Sequence, residues 1–278
     1  MDIESLLFSS KLLLFGEQTV LTGSQVLSVP FQKFTGKWEY DEDQNAEMVE
    51  LLKMLPKDLI NLELLEEAIQ KGLFFKSNIP RQAGLGSSGA LSAALYRFFS
   101  HDVKNTIGEI QQDLALIESI FHGRSSGTDA LVSFANRAVH TKNGKSSLID
   151  LQLENQQIYI SLIDSQKERS AKTYIQLYLD SVENERIDYQ LLSEKADQAL
   201  TLFLQKSDER FHAIRELSIV QLKEFSAFIP DNIKRFWKEG IDQQSYYCKL
   251  CGAGGGGYFL CFSKAPIELN ETIIPVNY

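Results

Sequence analysis

Residues 80–99, PRQAGLGSSGALSAALYRFF, set Gly84, Gly86 and Gly89 around Ser87 and Ser88 and then run straight into an apolar segment. That junction constrains the fold more than any other stretch. Ordered glycine costs backbone entropy, so a cluster of it marks backbone that must turn or stay open. Pro80 closes an extended run, LFFKSNIP, while Ala90, Leu91, Ala93, Ala94 and Leu95 are helix formers. Ser87 and Ser88 stand where an N-cap and first turn fall. The first N–H groups of a helix lack internal partners, and the helix dipole is positive there. A glycine loop leading into such a terminus can cradle a phosphate. The Gly-Lys-Ser/Thr ending of the Walker loop is missing, so the common nucleotide-binding fold is not implied. An ordinary glycine loop capping a buried helix accounts for the same residues, and this stretch alone leaves both readings open.

The bulk properties narrow the classes. A chain of 278 residues forms one large or two modest domains, and 44% hydrophobic residues suffice for a sizeable core. The net charge of -9 speaks against broad nucleic-acid binding. No run is apolar for long enough to span a bilayer, and the acidic start MDIESLLFSSKLLLFGE does not read as a signal peptide. No membrane or nucleic-acid partner is therefore expected. Three cysteines in a chain this long fit a reducing cytoplasm. Cys248 and Cys251 have a redox or zinc spacing. They lie in a strand entering a glycine loop, however, where positions three apart point to opposite faces.

Along the chain, SKLLLFGE (10–17) reads as a buried strand and QVLSVPF (25–31) as its hairpin partner. Residues 38–72 read as polar and helical, with AEMVELLKML and NLELLEEAIQKG as amphipathic helices. A helix over 107–121 carries an apolar stripe of Ile110, Leu114, Ile117 and Phe121, with Glu118 at its edge. HGRSSGTDALVSF reads as a loop starting a short helix, and SSLIDLQL and QIYISLID alternate like paired strands. Residues 170–228 read as mostly helical, followed by a short helix, then strand, glycine loop and strand in YYCKLCGAGGGGYFLCFS. ETIIPVNY reads as an edge strand, since Pro275 cannot donate to a ladder. This order is α+β rather than a regular βαβ alternation.

Four stretches taken together say more: KLLLFGEQTVLTGS, PRQAGLGSSGALSAAL, HGRSSGTDALVS and KLCGAGGGGYFLCF, in that order. Over residues 8–263 the chain resembles the GHMP kinase superfamily, the small-molecule kinases of galactose, homoserine, mevalonate and phosphomevalonate. Within it the mevalonate kinases are most similar, because Glu118, His122, Gly123, Ser126, Gly127 and Asp129 fall on the pattern of their segment bearing a metal-binding glutamate and a catalytic aspartate. Gln18 replaces the usual His, Ser125 the usual Pro, and Cys251 the usual Ser or Thr.

The resemblance implies a two-domain α+β architecture. Residues 1–160 would resemble the second domain of a ribosomal protein, and residues 161–278 a ferredoxin-like fold, with the site in the cleft between them. It implies a cytoplasmic enzyme that uses ATP and Mg²⁺ to phosphorylate the primary hydroxyl of mevalonate. A sister kinase of phosphomevalonate or a sugar, or an inactive ligand-binding homologue, are the alternatives. The oligomeric state stays open, a homodimer included. Gly84, Leu85, Gly86, Ser87, Ser88 and Gly89 would form the ATP-phosphate loop.

Mg²⁺ takes few protein ligands, all oxygen, and Ser88 and Glu118 supply them. Asp129 is the expected base for the acceptor alcohol, with Lys11 as its partner. Lys11 enters the apolar run KLLLF and so needs a partner, although a strand-edge Lys reaching solvent is the plainer reading. Asp129 could equally cap the helix that follows it. Glu17, Gln18, Ser126, Gly254 and Gly255 are expected at the acceptor pocket. Turn chemistry after Gly16 is the plainer reading for Glu17 and Gln18, and His122 reads as a structural hydrogen-bonder. Lys167, Arg169 and Lys172 read as a solvated charge run.

Overall fold

The computed structural model describes residues 2–17, 19, 23–81, 83–153, 157–167, 187–252, 254–268 and 272–276. Gln18, Arg169, Lys172 and the side chain of His122 lie outside the described residues.

Strand β1 (Phe8–Phe15) pairs antiparallel with the long β2 (Val26–Tyr40). β3 (Leu73–Ser77) and β4 (Ala138–Lys142) also pair with β2, and β5 (Lys145–Ile149) pairs with β4. β1 is therefore an edge of this five-stranded sheet. Helices α1 (Ala46–Leu52) and α2 (Leu62–Gln70) lie between β2 and β3, as their amphipathic pattern predicts. Residues 38–40 continue β2 instead of opening the helical region, and Trp38 is fully buried.

Helices α3 (Ser87–Phe99), α4 (Ile107–His122) and α5 (Thr128–Ala135) pack together, with α3 and α5 against β1. Ala90, Ala93 and Ala94 of α3 are fully buried, which lets neighbouring helices approach closely. In α4, Ile110, Leu114 and Ile117 are buried, whereas Phe121 is 37% exposed and Glu118 only 3%. The buried stripe therefore turns through Glu118 rather than Phe121.

The second sheet has the order β7 (Tyr246–Leu250), β8 (Tyr258–Ser263), β6 (Tyr159–Asp164), β9 (Ile273–Pro275). β9, with Pro275, is an edge strand as expected. The expected pairing of SSLIDLQL with QIYISLID does not occur. β5 completes the first sheet, while β6 lies between β8 and β9 in the second. Alternation identifies a strand but carries no information about its partner. Helices α6 (Tyr189–Leu204), α7 (Arg210–Glu224) and α8 (Asp231–Gln243) accompany this sheet, with α7 and α8 packed on β7. The mixed helix and sheet composition matches the α+β class.

The two sheets meet at the end of β1. The Phe15 ring lies 5.4 Å from that of Phe203 and 5.8 Å from that of Phe262. All three cysteines are buried free thiols, with Cys248 opposite Cys261 across the β7–β8 ladder and Cys251 just beyond the strand. Among the described residues, no helix is long and apolar enough to cross a membrane.

Candidate active site

The start of α3 is built as its sequence suggests, shifted by one residue. Gly86 is the N-cap in a left-handed conformation, φ 78°, and Ser87 and Ser88 occupy the first turn. The first intrahelical bond runs from Ala90 N to Gly86 O at 3.0 Å. The amides of Ser87, Ser88 and Gly89 thus precede the helix ladder and point out of its positive end. A Cβ on Gly86 would lie 2.8 Å from Lys11 Cγ, so only glycine lets the loop and β1 come this close. Leu85 contributes through its backbone alone. Its side chain is buried in the core, and its carbonyl accepts a 2.9 Å bond from the Lys11 N–H on the open edge of β1. Gly89 faces α5, where a Cβ would meet the backbone of Asp129 and Ala130 at 2.9 Å.

Lys11 Nζ lies 2.9 Å from Asp129 Oδ2, with side-chain exposures of 8% and 35%. Burial pulls the Lys11 ammonium pKa down, but the Asp129 carboxylate, with lesser contributions from Cys251 and Glu118, carries it above its ordinary value. The lysine therefore stays charged. Asp129 stands in the first turn of α5, where the helix dipole favours negative charge. Its carboxylate keeps an open side.

Glu118 faces the same corner from α4. Ser88 Oγ donates to its Oε1 at 3.4 Å, and Ser125 Oγ donates to its Oε2. Burial and the nearby Asp129 charge push its carboxyl up to about 7, against the opposing pull of Ser125, Lys11 and Ser88. Ser125 also accepts a 2.9 Å bond from the Gly127 N–H, which ties the loop before α5 to Glu118. The structure thus brings Lys11, the Gly86–Gly89 turn, Ser88, Glu118 and Asp129 to one place.

Other expected site residues are committed elsewhere. The Glu17 side chain does not line an open pocket. It is 1% exposed and paired with Lys249 at 2.7 Å, because a carboxylate at the end of a buried strand needs a counter-charge. Ser126 Oγ is engaged with Thr128, donating to its hydroxyl and accepting from its N–H just before α5. Gly254 and Gly255 are buried against Phe228. A Cβ on Gly254 would meet the Phe228 carbonyl oxygen at 2.9 Å, and the Gly255 N–H donates to that oxygen. It is Gly257 that approaches the phosphate loop, with its Cβ position 3.5 Å from Ala83. Lys167 is exposed, and its carbonyl accepts from the Gly257 N–H at 2.9 Å.

Sequence reasoning assigned no role to Ser125, Lys249 or Gln221. Lys249 carried a signal, since it interrupts the apolar run YYCKL just as Lys11 opens KLLLF. Ser125 and Gln221 carried none, because their partners come from other elements.

An oxygen-only pair, Ser88 hydroxyl and Glu118 carboxylate, beside an open helix N-terminus fits a hard cation that arrives with a polyphosphate. Such a cation keeps most of its ligands as phosphate and water oxygens, so two protein donors suffice.

Residues 51–137, which include the start of α3, Glu118 and Asp129, match the family model described as GHMP kinases N terminal domain. The fold of the chain as a whole is similar to that of solved mevalonate kinases and other GHMP kinases. It resembles the Methanococcus jannaschii mevalonate kinase at 17% identity and a TM-score of 0.63, covering 93% of this chain and 90% of that one. The Streptococcus pneumoniae phosphomevalonate kinase is similar at 15% identity and a TM-score of 0.61, with 93% and 90% covered. The Lactococcus lactis galactokinase, in complex with galactose, is similar at 14% identity and a TM-score of 0.59, with 93% and 84% covered. No curated protein matches by sequence.

Proposed function

We propose that the protein is an ATP-dependent kinase of a small alcohol, and that the primary 5-hydroxyl of mevalonate is its acceptor. The observation that carries the kinase reading is the Lys11–Asp129 pair at 2.9 Å, set beside the open N-terminus of α3. The motif from Glu118 to Asp129, most similar to that of mevalonate kinases, supports the choice of acceptor.

The roles follow from charge and exposure. Asp129 accepts the proton of the attacking hydroxyl, since its carboxylate is partly open while its partner is not. Lys11 stays protonated, orients that carboxylate and stabilises negative charge developing on the acceptor oxygen. The amides of Ser87, Ser88 and Gly89 bind phosphate oxygens. Ser88 and Glu118 would hold Mg²⁺, which when bound neutralises the charge of the β- and γ-phosphates. Most of the catalytic effect in such a site is positioning and electrostatics, which suits a rigid junction of strand edge, loop and two helix starts.

The test is ADP release in a coupled assay with mevalonate, phosphomevalonate, homoserine and galactose side by side. Turnover confined to mevalonate supports the full reading. Preference for another acceptor retains the kinase and replaces the substrate. Tight ATP binding without turnover on any of the four overturns the kinase reading in favour of a ligand-binding homologue.

A further inference from the structure

A second charged group lies on β1's path, away from the reacting corner. Glu17 Oε2 and Lys249 Nζ are 2.7 Å apart, and both side chains are 1% exposed. Gln221 on α7 joins them. Its Nε2 donates to Glu17 Oε1 at 2.7 Å, and its Oε1 accepts from the Leu250 N–H at 3.0 Å. Lys249 Nζ also donates to the Leu250 carbonyl at 2.7 Å. A buried ion pair of this kind is a weak source of stability, because desolvation offsets most of the attraction, but it fixes geometry when its hydrogen bonds are satisfied.

What it fixes is the other glycine loop. Leu250 ends β7, and Cys251 follows directly. The buried Cys251 thiol lies near the backbone of Leu13 and within electrostatic reach of Lys249, Lys11 and Glu17. Leu13 and Lys11 are two apart on the edge strand β1, so their N–H groups point the same way. That of Lys11 is taken by the Leu85 carbonyl, and Cys251 lies near Leu13. The edge of β1 is thus covered by both glycine loops side by side, and Gly257 closes on Ala83 at the far end.

We propose that Glu17, Lys249 and Gln221 form a positioning clasp that holds the 251–257 loop on the edge of β1, and thereby holds Lys11 and the phosphate loop in register. The catalytic part of this inference rests on the kinase reading given above; the structural part does not. None of the three residues touches a reacting atom. Each acts through the loop.

Removing one charge leaves the other buried and unpaired, so the single variants Glu17→Gln and Lys249→Met can fail to fold. The double variant Glu17→Gln with Lys249→Met removes both charges at similar volume and is the decisive protein. Gln221→Leu keeps the ion pair and removes the hydrogen bonds that link Glu17 Oε1 to the Leu250 N–H. Amide hydrogen exchange read by mass spectrometry is expected to speed up over residues 251–257 by roughly tenfold or more in the double variant, with a smaller effect in Gln221→Leu. Exchange across the β2–β4 ladder should not change. With the acceptor that the parent uses, kcat should fall about tenfold or more while the KM for ATP stays within about threefold. A merely structural pair would lower the melting temperature without that split. Unchanged exchange over 251–257 in either folded variant overturns the clasp. Faster exchange in the variants, alongside a parent inactive with every acceptor, leaves the clasp standing and overturns the kinase reading instead.

Discussion

Lys11 and Asp129 meet at 2.9 Å between the edge of a sheet and the first turn of a helix, the lysine almost sealed and the carboxylate one-third open. The asymmetry sets which partner can reach an acceptor. Asp129→Asn keeps the shape but cannot take the proton. Turnover should drop by roughly 10²–10⁴-fold, with ATP affinity by calorimetry within a few-fold of the parent, because the interaction matters mainly in the transition state. Near-parent turnover would remove Asp129 from the role of base.

Glu118 ties stability to pH. Its folded carboxyl is raised to about 7, first by burial and then by Asp129, from an ordinary value of 4.5. Between those two values the folded chain holds a proton that the unfolded chain has released, so unfolding free energy falls as pH rises through the window. The loss is on the order of 3 kcal/mol. Glu118→Gln has no such proton. In metal-free buffer its melting temperature should gain on that of the parent between pH 5 and pH 8. Parallel curves for the two proteins would show that Glu118 does not titrate there.

The same substitution bears on the metal. With one carboxylate charge gone, the Mg²⁺ concentration needed for half-maximal ATP binding should rise, by about tenfold if Glu118 is a direct ligand. Superimposable Mg²⁺ titrations would make Glu118 a buried helix acid only.

Gly86 combines φ 78° with a Cβ position 2.8 Å from Lys11 Cγ. Gly86→Ala should cost about 1–3 kcal/mol for the left-handed backbone. It should also displace Lys11, so kcat falls by more than the KM for ATP rises. A loss of ATP affinity alone would mean that the loop acts only as a cradle.

Gly89→Ala meets something harder. Its Cβ would press on the backbone of Asp129 and Ala130 at 2.9 Å, which cannot yield as a lysine side chain can. The expected result is a larger fall in melting temperature than for Gly86→Ala, accompanied by reduced turnover as Asp129 shifts. A Gly89→Ala protein with parental melting and turnover would show that α3 and α5 can separate freely.

The features legible from the amino acids alone are local. Glycines followed by alanines and leucines specify the loop and the start of α3, because φ preferences and helix propensity act within a few residues. Lysine in an apolar strand run announces a buried partner, while it is the resemblance of the Glu118–Asp129 stretch to a family segment that assigned those two residues to one site. Partners from distant elements emerge only in the folded chain. Lys11 meets Asp129, the partner that the resemblance implied, but Glu17 goes to Lys249 and Gln221, so a residue expected at the acceptor pocket serves the join between the sheets instead. The tertiary structure put β5 and β6 in different sheets and turned Gly254 and Gly255 toward Phe228. Burial makes an unpaired charge or backbone group costly, yet it leaves open which distant group will satisfy it. That choice belongs to the packing of the whole chain.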